Sequence, residues 1–157
     1  EHGQIEVKSP MNTPGYGGRE PLESEWFETG DLGAFDEDKV LHVYARRHDL
    51  ILSAGENVYP LEVENMLTRS PFIKEALVIG EPDETWGAIV CALIVPEKGT
   101  HPKVEDVRRF CKETLSAYKC PRKIAFGDAV PMNSADKPNR HSEVLKRYEL
   151  TPIHYKH

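Results

Sequence analysis

The sequence predicts an α+β fold, and three observations carry that reading. Apolar runs of strand length recur along the chain, at residues 40–45, 76–79, 88–95 and 124–126. Two stretches with helical spacing interrupt them, one opening at Pro60 and one through Val104, Val107, Phe110, Cys111 and Leu115. Between two short strand-like pieces, Ala54-Gly55 marks a tight hairpin.

Taken in order, Gly3-Gln4-Ile5-Glu6-Val7-Lys8 alternates with period two, as a half-buried strand does. A strand beginning at the third residue is expected of a piece cut from something longer. Residues 9–25 hold Pro10, Pro14, Gly15, Gly17, Gly18 and Pro21, and read as loop. The run VLHVYA at 40–45 follows a turn, Asp36-Glu37-Asp38-Lys39, and is the next strand. Residues 50–53 and 56–59 form the hairpin around Ala54-Gly55. Pro60 suits a first helical position, with Glu62 and Glu64 near the positive helix N-terminus. Val63, Met66 and Leu67 give that helix its apolar stripe. The runs at 76–79 and 88–95 are typical of buried strands. A last helix is expected over 142–150. The chain shows no internal repeat and no low-complexity segment.

Composition narrows the function classes. A chain of 157 residues, 39% hydrophobic and 29% charged, has the makeup of a soluble globular protein with a real core. No apolar run approaches the ~20 residues that span a bilayer, and no leader suggests secretion. Cys91, Cys111 and Cys120 are odd in number and lack metal-site spacing. They read as reduced thiols in a cytoplasmic setting, with no disulfide framework and no zinc site. A net charge of −6 argues against nucleic-acid binding. That charge is uneven: residues 1–45 carry −7 and residues 46–157 carry +1. The change falls at Arg46, which opens the stretch RRHDLILSAGENVYPLEVE and suggests a boundary there.

Several motifs admit two readings each. WFETGD at 26–31 is a turn, or it holds the Asp31 carboxylate beside a glycine where it can accept hydrogen bonds from vicinal hydroxyls. Lys137, in a polar loop bounded by prolines, is a solvated charge when taken singly. Alternatively it reaches into a cleft and neutralises charge developing on a carboxylate and a phosphate. Trp86 is a packing residue at a loop edge. Tyr118-Lys119-Cys120-Pro121-Arg122-Lys123 is a solvated helix end, or a nucleotide contact in which Tyr118 stacks and Arg122 pairs a phosphate. The seven histidines form no metal-ligand pattern.

Their order along the chain is more specific than any one of them. A G-x-I-x-V strand, then WFETGDLG, then RRHDLILSAGENVYPLEVE, then EPDETWG, AYKCPRK and NSADK followed by Arg140, together resemble the adenylate-forming superfamily of acyl- and aryl-CoA synthetases, adenylation domains and beetle luciferases. The resemblance covers residues 3 to about 150, and the EPDETWG and YKCP stretches look most like CoA ligases. It implies that residues 1–45 are the C-terminal tail of a large N-terminal domain. Residues 46–157 are then a small α+β lid domain, with a β-hairpin and a short mixed sheet packed by helices, joined by a hinge at 46–49.

The same resemblance implies a two-step reaction of a small-molecule carboxylic acid with ATP and then CoA, with Mg2+ bound mainly by the missing N-terminal domain. By position, Asp31 matches the ribose-binding aspartate, Arg46 a second nucleotide contact, and Lys137 the catalytic lysine of adenylation. Gly55 matches the glycine of the pantetheine tunnel, where a side chain would obstruct passage. Tyr118 and Arg122 match contacts to the CoA nucleotide. His48 stands at the hinge position, usually Asp or Lys. Ala45 and Ala54 replace common glycines, which a modest loop adjustment is expected to absorb. Asp136 replaces the glycine often found before the lysine, is placed to pair with its ammonium, and is followed after Lys137 by the restrictive Pro138. The fragment alone is expected to be inactive. The competing readings are an adenylation domain that loads a carrier protein and a non-catalytic interaction module of the same fold.

Overall fold

The computed structural model describes residues 3–10 and 26–155. The chain separates into two compact units, Glu1–His48 and Asp49–His157. The loop expected over 9–25 lies outside the described residues except for its first two positions.

The first unit is an antiparallel three-stranded sheet of β1 (Gly3–Val7), β2 (Phe27–Phe35) and β3 (Leu41–Arg46), in the order β1-β2-β3. The turn reading of WFETGD does not hold, because Phe27 to Asp31 run within β2. Gln4 pairs with Leu32 and Glu6 with Glu28, so Thr29, Gly30 and Asp31 together face the single residue Ile5. This is a bulge. Gly30 takes φ +76° there, and the Thr29 hydroxyl donates to the Ile5 carbonyl at 2.9 Å. A local turn signal has thus become a kink inside a strand. The turn at Asp36–Lys39 forms as expected, with the Asp36 carboxylate accepting from the Val40 N–H at 2.8 Å.

The second unit opens with the hairpin of β4 (Ile51–Ser53) and β5 (Glu56–Val58), followed by helix α1 (Pro60–Leu67). Ala54 and Gly55 at its tip both have left-handed φ, +54° and +81°. That is the geometry of a type I′ turn, whose twist suits a two-residue hairpin. Ala54 itself occupies the left-handed conformation. Ala45, the other replaced glycine, is buried in β3 and needs no left-handed backbone.

A four-stranded sheet forms the centre of this unit, in the order β6-β7-β8-β9: β6 (Ile73–Asp83), β7 (Gly87–Pro96), β8 (Lys123–Phe126) and β9 (Thr151–Pro152). Helix α2 (Val104–Thr114) provides the crossover between parallel β7 and β8. Alternation along β7 explains its continuous apolar run. Val90, Ala92 and Ile94 join the cluster containing Val63, Leu67, Val107 and Cys111 of the two helices. Ile89, Cys91 and Leu93 join Leu77, Ile79 and Leu145 in a second cluster. A strand covered on both faces has no polar side.

The expected last helix is instead a 3-10 helix over Ser142–Arg147. Its buried residues, Val144 and Leu145, are adjacent rather than three or four apart, which does not make an α-helical stripe. The three cysteines are free and buried. Burial pushes the Cys111 thiol up to about 12, and burial likewise raises those of Cys91 and Cys120.

Ala54→Gly should raise the unfolding free energy by about 0.5–1 kcal/mol, since relief of the left-handed strain exceeds the added chain entropy; chemical denaturation of the 157-residue chain measures it. A thiol reagent at pH 8 should modify none of the cysteines of the native chain within minutes. Burial shields the thiols and disfavours their thiolates in the folded state, whereas all three should react in denaturant, where that burial is lost.

Candidate functional site

In the first unit, the β2–β3 register sets Asp31 directly opposite Arg46. Asp31 Oδ1 lies 3.3 Å from Arg46 Nε, and the Asp31 N–H donates to the Thr29 hydroxyl at 3.1 Å. The bulge thus orients the carboxylate while the neighbouring strand supplies its counter-charge. Among the described residues nothing else engages the second carboxylate oxygen or the guanidinium terminus. One acceptor and two donor nitrogens remain for a ligand. The structure therefore brings together the two residues that the sequence places as nucleotide contacts. His48 is exposed, in the middle of the 3-10 turn Arg47–Asp49.

In the second unit Lys137 stands on a closed loop. Asn133 N–H donates to the Lys137 carbonyl at 2.8 Å, and Asn139 N–H donates to the Pro131 carbonyl at 2.9 Å. These bonds flank the antiparallel pair Met132–Pro138. Pro138 occupies the non-hydrogen-bonded position of that pair, where a missing N–H costs nothing. The Asn133 side chain also accepts from the N–H groups of Ala135 and Lys137, at 2.9 and 3.1 Å. Asp136 takes φ +55°, a conformation that aspartate tolerates better than most residues. It thus does the work of the glycine it replaces. The expected pairing of Asp136 with the lysine is not formed; among the described residues no group bonds or pairs the exposed Lys137 ammonium.

Gly55 is likewise exposed at the hairpin tip, and a Cβ there would meet nothing within 4 Å. Within this chain the glycine answers to its positive φ, not to a steric limit. The Ala54 N–H donates to the Trp86 carbonyl at 2.9 Å, which ties the tip to the turn between β6 and β7. The Arg122 guanidinium lies 4.3 Å from the centre of the Trp86 ring. Trp86 is thus a packing residue, as its position suggested, and it also holds Arg122 by a cation–π contact.

The cluster of cations around Arg122 is smaller than the sequence suggested. Lys119 pairs with Glu62, and Lys123 pairs with Glu81 at 2.8 Å. The Lys123 ammonium holds the Glu81 carboxyl below its usual range, and Glu81 holds Lys123 above its own. Tyr118 packs against the core, with Lys119 5.6 Å from its ring centre.

The two candidate regions of this unit lie at opposite ends of β6. Met132 and Pro138, which close the lysine loop, line a groove of about 290 Å3 with Ala76 near the start of that strand. The Gly55 tip and Arg122 gather at Trp86, beyond its far end. Asp83 lies seven residue steps along the strand from Ala76, roughly 23 Å.

Two residues whose role the sequence reading missed join these elements. The sequence places Glu64 near the positive helix N-terminus, yet it is buried, on the stripe Pro60, Val63, Glu64 and Leu67. Its spacing was the available signal: an acid at the i+4 position of a buried face needs a partner. That partner is Arg140, which clasps both carboxylate oxygens. Asn133 is the other, and its signal was an Asn four residues before the lysine in a turn-rich stretch.

Comparison with known proteins follows the same outline. The family model for the AMP-binding enzyme C-terminal domain matches residues 62–137. The 2-succinylbenzoate–CoA ligases of Geobacillus sp. (strain WCH70) and Bacillus licheniformis are 44% and 42% identical, each over 146 residues. These matches cover 90% of this chain but 30% of each relative, so the chain spans about a third of their length. Among solved structures, o-succinylbenzoate CoA synthetase from Bacillus subtilis, in complex with the acyl-adenylate intermediate OSB-AMP, superposes with a TM-score of 0.82 at 38% identity, covering 91% of this chain and 30% of that one. An amide bond synthetase from Marinactinospora thermotolerans gives 0.83 at 37%, covering 89% and 29%. No helix among the described residues is long and apolar enough to cross a membrane.

Proposed function

Because the chain belongs to the adenylate-forming superfamily as its C-terminal portion, we propose that it serves an ATP-dependent acyl-CoA synthetase and is inactive by itself. The observation that carries this reading is the unengaged ammonium of Lys137 on a loop braced by its own backbone. In this reading residues 1–45 are the tail of the large N-terminal domain, and residues 46–157 are the lid with its hinge at 46–49. Phe35, Leu41 and Val43 are large apolar side chains left exposed on the small first sheet, which suits a surface covered by a larger domain.

The chemistry follows from charge. In the first half-reaction a carboxylate oxygen of the acid attacks the α-phosphorus of ATP, and the bond to the departing pyrophosphate breaks. Negative charge passes from the attacking carboxylate oxygen to the α-phosphate oxygens and the departing pyrophosphate, and the Lys137 ammonium stabilises it where carboxylate and phosphate meet. Asp31 accepts hydrogen bonds from the ribose hydroxyls and Arg46 contacts the nucleotide. Mg2+ would enter with ATP to neutralise phosphate charge; no cluster of His, Cys, Asp or Glu among the described residues is arranged to hold it, so the N-terminal domain would supply most of its ligands. In the second half-reaction the CoA sulfur attacks the acyl carbonyl and gives its proton to solvent, and the acyl C–O bond to the phosphate breaks as AMP departs. Gly55 lines the pantetheine route, while Tyr118 and Arg122 contact the CoA nucleotide. The roughly 23 Å along β6 between the two regions supports their use in alternate steps, by rotation about His48. The acid is proposed to be of the 2-succinylbenzoate class, named in the relatives above. Free thiols support a reducing, cytoplasmic compartment.

The similarity to an amide bond synthetase makes the acceptor of the second step the point to test. ATP–pyrophosphate exchange by the full-length enzyme across a panel of acids, followed by product formation with CoA, a carrier protein or an amine, separates the readings. Exchange without CoA-dependent product counts against the CoA ligase. No exchange with any acid leaves the interaction module.

In the full-length enzyme Lys137→Ala should slow adenylation by 100-fold or more, on the order of the loss from removing one transition-state donor. Thioester formation from supplied adenylate should stay within a few-fold. Unchanged adenylation removes Lys137 from the mechanism. His48→Pro should trap one orientation, impairing one half-reaction at least ten times more than the other in single-turnover assays; equal losses in a folded variant count against a hinge there.

A further inference from the structure

The Arg140 guanidinium sits at a junction that the reaction scheme does not use. It donates to both Glu64 oxygens, to Oε2 at 2.9 Å, and to the Val78 carbonyl at 3.1 Å. Its Nε lies 3.6 Å from Asp49 Oδ2. The side chains of Arg140, Glu64 and Asp49 are 19%, 10% and 19% exposed, so the cluster is largely shielded from water.

These partners come from different levels of the fold. Glu64 and Val78 belong to α1 and β6. Asp49 is the first residue of the second unit, directly after His48. Arg140 itself is three residues beyond Lys137. Of the two residues between them, Pro138 has a fixed φ, and the Asn139 N–H is bonded to the Pro131 carbonyl. The link from guanidinium to lysine loop is therefore short and stiff.

The arms differ in strength. The Glu64 arm is bidentate and of hydrogen-bond length, the geometry in which a guanidinium is held most firmly. The Asp49 arm, at 3.6 Å, is an ion pair longer than a hydrogen bond. It is the arm that a change of backbone at residue 48 alters first. We propose that Arg140 is a positioning residue for Lys137, and that its contact with Asp49 makes the placement of the lysine loop depend on the backbone leaving the hinge. Glu64 anchors the guanidinium; Asp49 tunes it. This rests on the reading of Lys137 as the adenylation lysine.

Asp49→Asn is the discriminating variant, because it removes the charge while leaving shape and the Glu64 arm intact. In full-length enzyme with 2-succinylbenzoate, it should slow adenylation about tenfold, keep thioester formation from supplied adenylate within twofold, and leave the melting temperature unchanged. Asp49→Glu should restore most of the loss. Arg140→Lys, which keeps the charge but not the fork, should slow adenylation further, and Asp49→Asn should add nothing in that background. Equal loss in both half-reactions, no loss, or no rescue by glutamate overturns the proposal, as does additivity of the two changes. Should Arg140→Lys fail to fold, the Asp49 pair alone decides. Lys137→Ala is the control: if it leaves adenylation intact, the functional reading has failed and the proposal with it. If it abolishes adenylation while Asp49→Asn has no effect, only the proposal fails.

Discussion

The second unit depends on how the open edge of β6 is closed. As the outermost strand of its sheet, β6 presents backbone groups with no neighbouring strand. At Val78 both are taken up by one ion pair. The N–H donates to Glu64 at 2.7 Å and the carbonyl accepts from Arg140 at 3.1 Å. Each charge thereby neutralises the other while satisfying a peptide group, the condition under which burying a salt bridge is tolerable. A lone acid on the buried face of α1 would be costly. A lone arginine against the strand edge would be equally so. Together they join helix, strand and the segment that carries the lysine loop.

A second constraint is conformational. At Ala54 and Asp136 the chain adopts left-handed backbone without glycine. The two cases differ in cost. Aspartate reaches this region more readily than alanine because its short polar side chain bonds locally. The lysine loop is also closed by Asn133, whose carboxamide caps two N–H groups. The hairpin tip instead relies on Gly55 beside the alanine and on the Trp86 carbonyl. Substitutions that look damaging in a motif are absorbed by neighbouring hydrogen bonds.

These constraints also organise charge. Lys119 and Lys123 have acidic partners, and Arg122 rests on an indole. Lys137 has none among the described residues, although Asp136 is its direct neighbour in sequence. The left-handed turn at Asp136 changes the chain direction just before the lysine, so adjacency does not become pairing. A cation left unpaired on a rigid loop is suited to meeting charge that arrives with a substrate.

Elements that report their own environment through periodicity were legible in the sequence. The apolar run of β7, the proline at the start of α1 and the Ala54-Gly55 hairpin each follow from local sterics and alternation. The landmark series from WFETGDLG to NSADK likewise named the family before any contact was known, because it lists residues in chain order. Tertiary structure decided the rest. Whether Thr29-Gly30 turned the chain or bulged a strand depended on the Ile5 carbonyl, more than twenty residues away. Whether Glu64 faced solvent or the interior depended on Arg140, 76 residues later. Side-chain period and turn preference are properties of a few adjacent residues, whereas the partner of a buried charge is chosen by whichever distant segment the fold delivers to it.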